Sequence, residues 1–83
     1  MGRLEVYERL KRIFWLAREG ELSLNNVELL VLDRSSTSGV RCLQLSSEAV
    51  LLKDRVVVGC SQIPLHRILE VRVGGRCVWR RER

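Results

Sequence analysis

Eighty-three residues, 46% of them hydrophobic and 30% charged, can build one core but not two, so residues 1–83 are predicted to form a single domain. No apolar run approaches the roughly 18 residues that span a bilayer, and Met-Gly-Arg-Leu-Glu lacks the order of a signal peptide; a cytoplasmic chain with no membrane role is expected. The net charge of +5 is concentrated, with +4 in residues 67–83, a field that attracts polyanions such as nucleic acid, although solubility alone is a sufficient alternative.

From Leu4 to Arg18 the apolar residues Val6, Tyr7, Leu10, Ile13, Phe14 and Ala17 recur at spacings of three and four, which predicts an amphipathic helix. Arg3, Glu5, Glu8, Arg9, Lys11, Arg12 and Arg18 occupy its other side, and Gly20 is placed to end it in a left-handed conformation. Beyond Asn25-Asn26 the pattern changes to short Val- and Leu-rich runs that read as strands: Val27 to Asp33, Val40 to Leu45, Ala49 to Leu52, Val56 to Gly59, Ile68 to Val73 and Arg76 to Arg80. Arg34 to Gly39 is a loop, Lys53-Asp54-Arg55 closes a hairpin, and Gly74-Gly75 supplies the positive φ angles of a two-residue hairpin turn. Pro64 cannot donate to a ladder, so Ile63 to Arg67 is read as a turn entering the last hairpin. The predicted fold is α+β: one N-terminal helix on an antiparallel meander sheet or half barrel of five to six strands.

Gly74-Gly75 as the turn pairs Val71 with Val78 and Glu70 with Trp79. Uninterrupted alternation then sends Leu69, Val71, Val73 and Val78 inward, and Glu70, Arg72, Trp79 and Arg81 to the opposite face. An aromatic ring among guanidinium groups suits a single nucleic-acid strand, with bases on the ring and phosphates on the arginines. The alternative is a Trp79 packed under the helix or in an oligomer interface.

Several chemistries lack their residues. Cys42, Cys60 and Cys77, odd in number, read as buried free thiols, with one disulfide as the alternative in a heat-adapted protein; the charge-rich, amide-poor composition leans that way. Together with His66 they have the ligand types of a zinc site without its close C-x2-C pair, so no metal is expected. His66 is the sole histidine, which excludes two-imidazole acid–base catalysis within one chain. No phosphate-binding or dinucleotide glycine motif occurs, and no cofactor is expected.

The stretch Ile63-Pro64-Leu65-His66-Arg67-Ile68 resembles a family of small, mostly archaeal proteins, the RNA cyclic-group-end recognition domain. Arg12-Ile13-Phe14-Trp15 on the helix, Leu32-Asp33-Arg34 at a strand end and Trp79-Arg80-Arg81 in the last strand are similar to further landmarks of that family. The resemblance implies a short α+β domain with a role in RNA processing, binding RNA ends that carry a cyclic phosphate. This chain departs from the family where members often have His-Arg-Gly, here Asp33-Arg34-Ser35, an aromatic, here Leu65, and an aspartate, here Leu16. The first departure removes a partner for His66 and favours recognition over catalysis.

Three functions follow as expectations. The first is an RNA-binding module in which Arg34 and Arg67 meet phosphate, His66 bonds a phosphate or ribose oxygen, and Arg72, Trp79 and Arg81 hold the next nucleotide, the protein being a monomer or weak homo-oligomer. The second is an RNA end-processing phosphodiesterase using His66. The third is a protein-interaction or assembly module without nucleic acid. For His66 and Arg67 the competing reading is structural: a histidine fixing the turn and an arginine paired with Glu70.

Overall fold

The computed structural model describes residues 2–35 and 37–81, with side chains from Glu5 onward. Ser36 of the predicted loop, and the side chains of Arg3 and Leu4 assigned to the helix, lie outside the described residues.

Helix α1 runs Gly2–Arg18 and buries Val6, Leu10 and Ile13, with Tyr7, Phe14 and Ala17 half-buried along the same stripe. Its last turn closes as a Schellman motif. Gly20 takes φ 82°, its N–H donates to the Ala17 carbonyl (3.2 Å), and the Glu21 N–H reaches back to Leu16 (2.9 Å). A short 3-10 turn, Leu24–Asn26, leads into the strands, with the Asn25 N–H donating to the Ser23 hydroxyl (3.2 Å).

Seven strands follow among the described residues: β1 (Val27–Leu32), β2 (Val40–Gln44), β3 (Val50–Leu51), β4 (Arg55–Val58), β5 (Ser61–Pro64), β6 (Ile68–Val73) and β7 (Arg76–Arg80). They form two antiparallel sheets, one ordered β2-β1-β6-β7 and one ordered β3-β4-β5. The helix-on-antiparallel-sheet architecture is the predicted one. The strand order is not a continuous meander: β1 pairs with β6, so the β3-β4-β5 hairpins form an insertion between β2 and β6. A second 3-10 turn, Leu65–Arg67, connects β5 to β6, with Pro64 as its first flanking residue. Pro64 is itself the last residue of β5, opposite Arg55. β5 is an edge strand, where a missing N–H costs no ladder bond.

One hydrophobic cluster joins the layers. Val27, Leu29 and Val31 of β1 alternate inward, Ile68 and Val71 meet them from β6, Val56 and Ile63 come from the smaller sheet, and Leu65 seats the 3-10 turn against α1. Two irregularities set the faces of β6 and β7. Leu69 is skipped in the β1–β6 register, which passes from Leu30↔Glu70 to Val31↔Ile68. Val78 is skipped in the β6–β7 register, which passes from Arg72↔Cys77 to Val71↔Trp79.

The second bulge corrects the predicted hairpin. One extra residue reverses the alternation beyond it, so Trp79 lies opposite Val71, not Glu70, and is buried in the core, 8% exposed. The cysteines are also corrected. All three are free and exposed, because Cys42 and Cys77 lie on the outer face of the larger sheet, opposite Leu30 and Arg72, and Cys60 is in the β4–β5 turn. The Cys42 thiol donates to Glu28 (3.6 Å), and desolvation, then the Glu28 charge, raise its pKa.

That outer face also holds Glu70, a buried carboxylate bonded by Arg72 Nε and paired with Arg80 (3.4 Å). The Arg72 hydrogen bond is the main reason its pKa lies below the ordinary value, against a smaller opposing effect of desolvation. A carboxyl more acidic in the folded than in the unfolded chain stabilises the fold fully above its unfolded pKa, about 4.3, and loses that contribution as pH falls through the lower folded value. The urea midpoint is therefore expected to hold from neutral pH down to roughly pH 5 and to fall below it. Glu70→Gln should flatten the acid limb; an unchanged limb would remove Glu70 as a cause.

Candidate anion-binding site

The pairing of Val31 with Ile68 brings the residues after β1 and those before β6 to the same end of the larger sheet. Asp33, Arg34 and Ser35 therefore lie at the end where the Leu65–Arg67 turn enters β6. β2 contributes Arg41, which pairs with Val31 from the other side, and β5 contributes Gln62 and Pro64. Between these elements lies an open cleft of about 290 Å³, whose polar lining is Asp33, Ser35, Arg41, Gln62 and Arg67.

Asp33 organises this cleft. Its Oδ1 accepts from the Ser35 hydroxyl (2.6 Å) and the Ser35 N–H (3.1 Å), an Asx turn that shapes the chain around Arg34. Its Oδ2 faces Arg41 Nε at 3.5 Å. The Ser35 hydroxyl, then the Ser35 N–H, hold its pKa below the ordinary value, with smaller help from the Arg41 and Arg67 charges. At neutral pH the lining thus carries two guanidinium groups against one carboxylate, a surplus of one positive charge, matched to a singly charged anion.

The residues singled out from sequence divide into three groups. Arg34, His66 and Arg67 come to one end of the sheet, but only Arg67 of the three lines the cleft. Arg34 and His66 are exposed beside it, neither with a hydrogen-bond or ion-pair partner among the described residues. Arg72 lies near the far end of β6 from Arg67, on the outer face and paired with Glu70. The pairing of Arg67 with Glu70 considered from sequence does not form, since Glu70 takes Arg72 and Arg80.

Trp79 and Arg81 form the third group and do not share a face with Arg72. Arg81 Nε donates to the Ile68 carbonyl (3.0 Å) and Nη2 to the Leu65 carbonyl (3.1 Å), while its guanidinium sits 5.5 Å from the Trp79 ring centroid. Its N–H also bonds Leu69 (2.8 Å). Arg81 thus clamps the turn that presents His66 and Arg67, with its Nε and Nη2 engaged by backbone carbonyls. Arg81→Met, which keeps the aliphatic stem, is expected to cost about 1.5–3 kcal/mol in urea unfolding, the range for hydrogen bonds to a charged group. A loss below 0.5 kcal/mol, the ordinary surface range, would show the clamp to be idle.

Sequence reasoning missed Arg41, Ser35 and Gln62. Arg41 was within reach: two strands joined by the Arg34–Gly39 loop pair antiparallel, and counting back from the loop sets Arg41 near the end of β1. Gln62 was not, because it depends on how the smaller sheet docks. Among the described residues no three His, Cys, Asp or Glu side chains gather where they could share a metal ion, and no helix is long and apolar enough to cross a membrane.

Fold and cleft together define a small α+β protein with an open, arginine-lined hollow at one end of its larger sheet. A UPF0248 protein of Methanopyrus kandleri is 34% identical over 55 residues, 66% of this chain and 74% of that protein, and a UPF0248 protein of Metallosphaera sedula is 28% identical over 82 residues, 94% of each. The chain belongs to the UPF0248 family, and both of these relatives are archaeal. No family model matches it, and no solved structure does.

Proposed function

We propose that this protein is a small cytoplasmic RNA-binding module of RNA processing that recognises an RNA end carrying a 2′,3′-cyclic phosphate. The observation that carries the reading is the meeting of two separated turns: Asp33-Arg34-Ser35 and Leu65-His66-Arg67, both within the stretches that resemble the RNA cyclic-group-end recognition domain, lie at one end of the β1–β6 pair, and Ser35 and Arg67 share a cleft. A cyclic phosphodiester carries one negative charge and no ionisable proton near neutral pH. Arg41 and Arg67 supply the counter-charge, Ser35 and Gln62 are neutral donors, and Arg34 and His66 stand free to reach the ribose or the next phosphate.

Recognition is proposed in preference to turnover because acid–base cleavage works best with one group to take a proton and a second to give it. The cleft offers Asp33, held ionised by Ser35, and one neighbouring imidazole.

Fluorescence anisotropy with a short oligoribonucleotide ending in a cyclic phosphate, beside the same oligomer ending in a hydroxyl, tests the proposal. The cyclic end should bind more tightly, and Arg67→Ala should weaken it by about tenfold or more while lowering the salt dependence. Equal affinity for the two ends would overturn end recognition; steady hydrolysis of the cyclic end, lost in His66→Ala, would make the protein an enzyme instead.

A further inference from the structure

Besides the arginine-lined cleft, a groove of about 640 Å³ opens between α1 and β3. Trp15 projects into it, 56% exposed, with Phe14 and Tyr7 half-buried behind it and Val50, 49% exposed, on the opposite wall. Lys11, Trp15 and Arg18 are spaced by four and then three residues on α1, one stripe of the helix, with Arg12 beside them. All three cations are exposed, and none has an ion-pair or hydrogen-bond partner among the described residues; the one carboxylate in the lining is Glu8.

We infer that this groove holds single-stranded RNA, with a base stacked on the Trp15 indole and the flanking phosphates on Lys11, Arg12 and Arg18. An exposed ring between unpaired cations is what a strand of stacked bases and phosphodiesters requires, and such stacking is tolerant of base identity. The charge decides between occupants. An apolar peptide would cover three cations without supplying their counter-charge, and a second copy docked groove to groove would set the same three cations against them, at a desolvation cost that apolar contact with Trp15 and Val50 must first overcome. A phosphodiester backbone brings the counter-charge with it. The groove opens along β3 and the cleft along β5, the two edges of one three-stranded sheet, about 10 Å apart. The inference rests on the RNA reading for the identity of the strand but not on recognition of its end.

The test is titration of the full chain with a short oligoribonucleotide ending in a hydroxyl, at low salt, read by anisotropy and by tryptophan fluorescence. The chain has two tryptophans, one exposed and one buried, so quenching on binding reports mainly Trp15. Trp15→Ala should weaken binding by about tenfold or more and abolish most of the quenching, Trp15→Phe should keep most of the affinity, and Lys11→Ala with Arg18→Ala should flatten the salt dependence. If the wild-type protein binds and Trp15→Ala binds equally well, the groove is not the strand site while the RNA reading stands. If neither the hydroxyl nor the cyclic-phosphate oligomer binds, the RNA reading falls and the groove assignment with it. A dimer in sedimentation that Trp15→Ala dissociates without altering RNA affinity assigns the groove to a second copy and overturns the inference.

Discussion

Replacing Trp79 by alanine is expected to lower the stability of the fold by about 3–5 kcal/mol, the range for removing a buried aromatic side chain. The indole is 8% exposed, belongs to the central cluster, and sits across the β6–β7 pair from fully buried Val71. Its removal leaves a cavity and also takes away the ring over which the Arg81 guanidinium lies, loosening the clamp on the Leu65–Arg67 turn. Each kcal/mol is worth about 4–8 °C in melting temperature for a domain of this size, so a fall of well over 10 °C is expected. Trp15→Ala is the control: with the ring 56% exposed, its stability cost should stay within about 0.5 kcal/mol. Equal, small losses for the two variants in urea unfolding would mean that Trp79 faces solvent and that the Val78 bulge is absent.

That bulge marks where sequence reasoning stops being sufficient. The helix was legible because its signal is local: Val6, Leu10 and Ile13 repeat at helical spacing and Gly20 ends the run, and all four do what the pattern predicts. Gly74 and Gly75, both at positive φ, form the turn assigned to them. Faces in β6 and β7 were not legible beyond the bulges, because alternation carries no mark of a skipped residue, and one skip inverts every later assignment. Strand order failed for a related reason: Val31 and Ile68 are paired though 37 positions apart, and nothing in either run specifies so distant a partner. Non-local pairing nonetheless makes the candidate site, since it gathers Asp33, Arg34, His66 and Arg67 at one end. The turn residues were identifiable one by one, whereas Arg41 and Gln62 become neighbours of Arg67 only once both sheets are assembled.

Leu65→Ala is the second large effect, because one side chain joins the stability of the fold to the geometry of the cleft. Leu65 is fully buried, the first residue of the turn that carries His66 and Arg67, and that turn rests on α1. Its N–H donates to Asp54 (3.0 Å) and its carbonyl accepts from Arg81, so the backbone is held on both sides while the side chain fills the space beneath. Truncation to alanine is expected to cost about 2–5 kcal/mol, the upper part applying if the rigid turn prevents the site from collapsing. Leu65→Met, close in volume, should cost less than about 1.5 kcal/mol. The two outcomes separate packing from presentation. If Arg67 works from a turn fixed by its buried neighbour, Leu65→Ala will weaken binding of the cyclic-phosphate oligomer even at temperatures where the variant is fully folded, and Leu65→Met will not. Full affinity in a folded Leu65→Ala protein would show that the backbone bonds to Asp54 and Arg81 suffice to hold the turn, leaving Leu65 a role in stability alone.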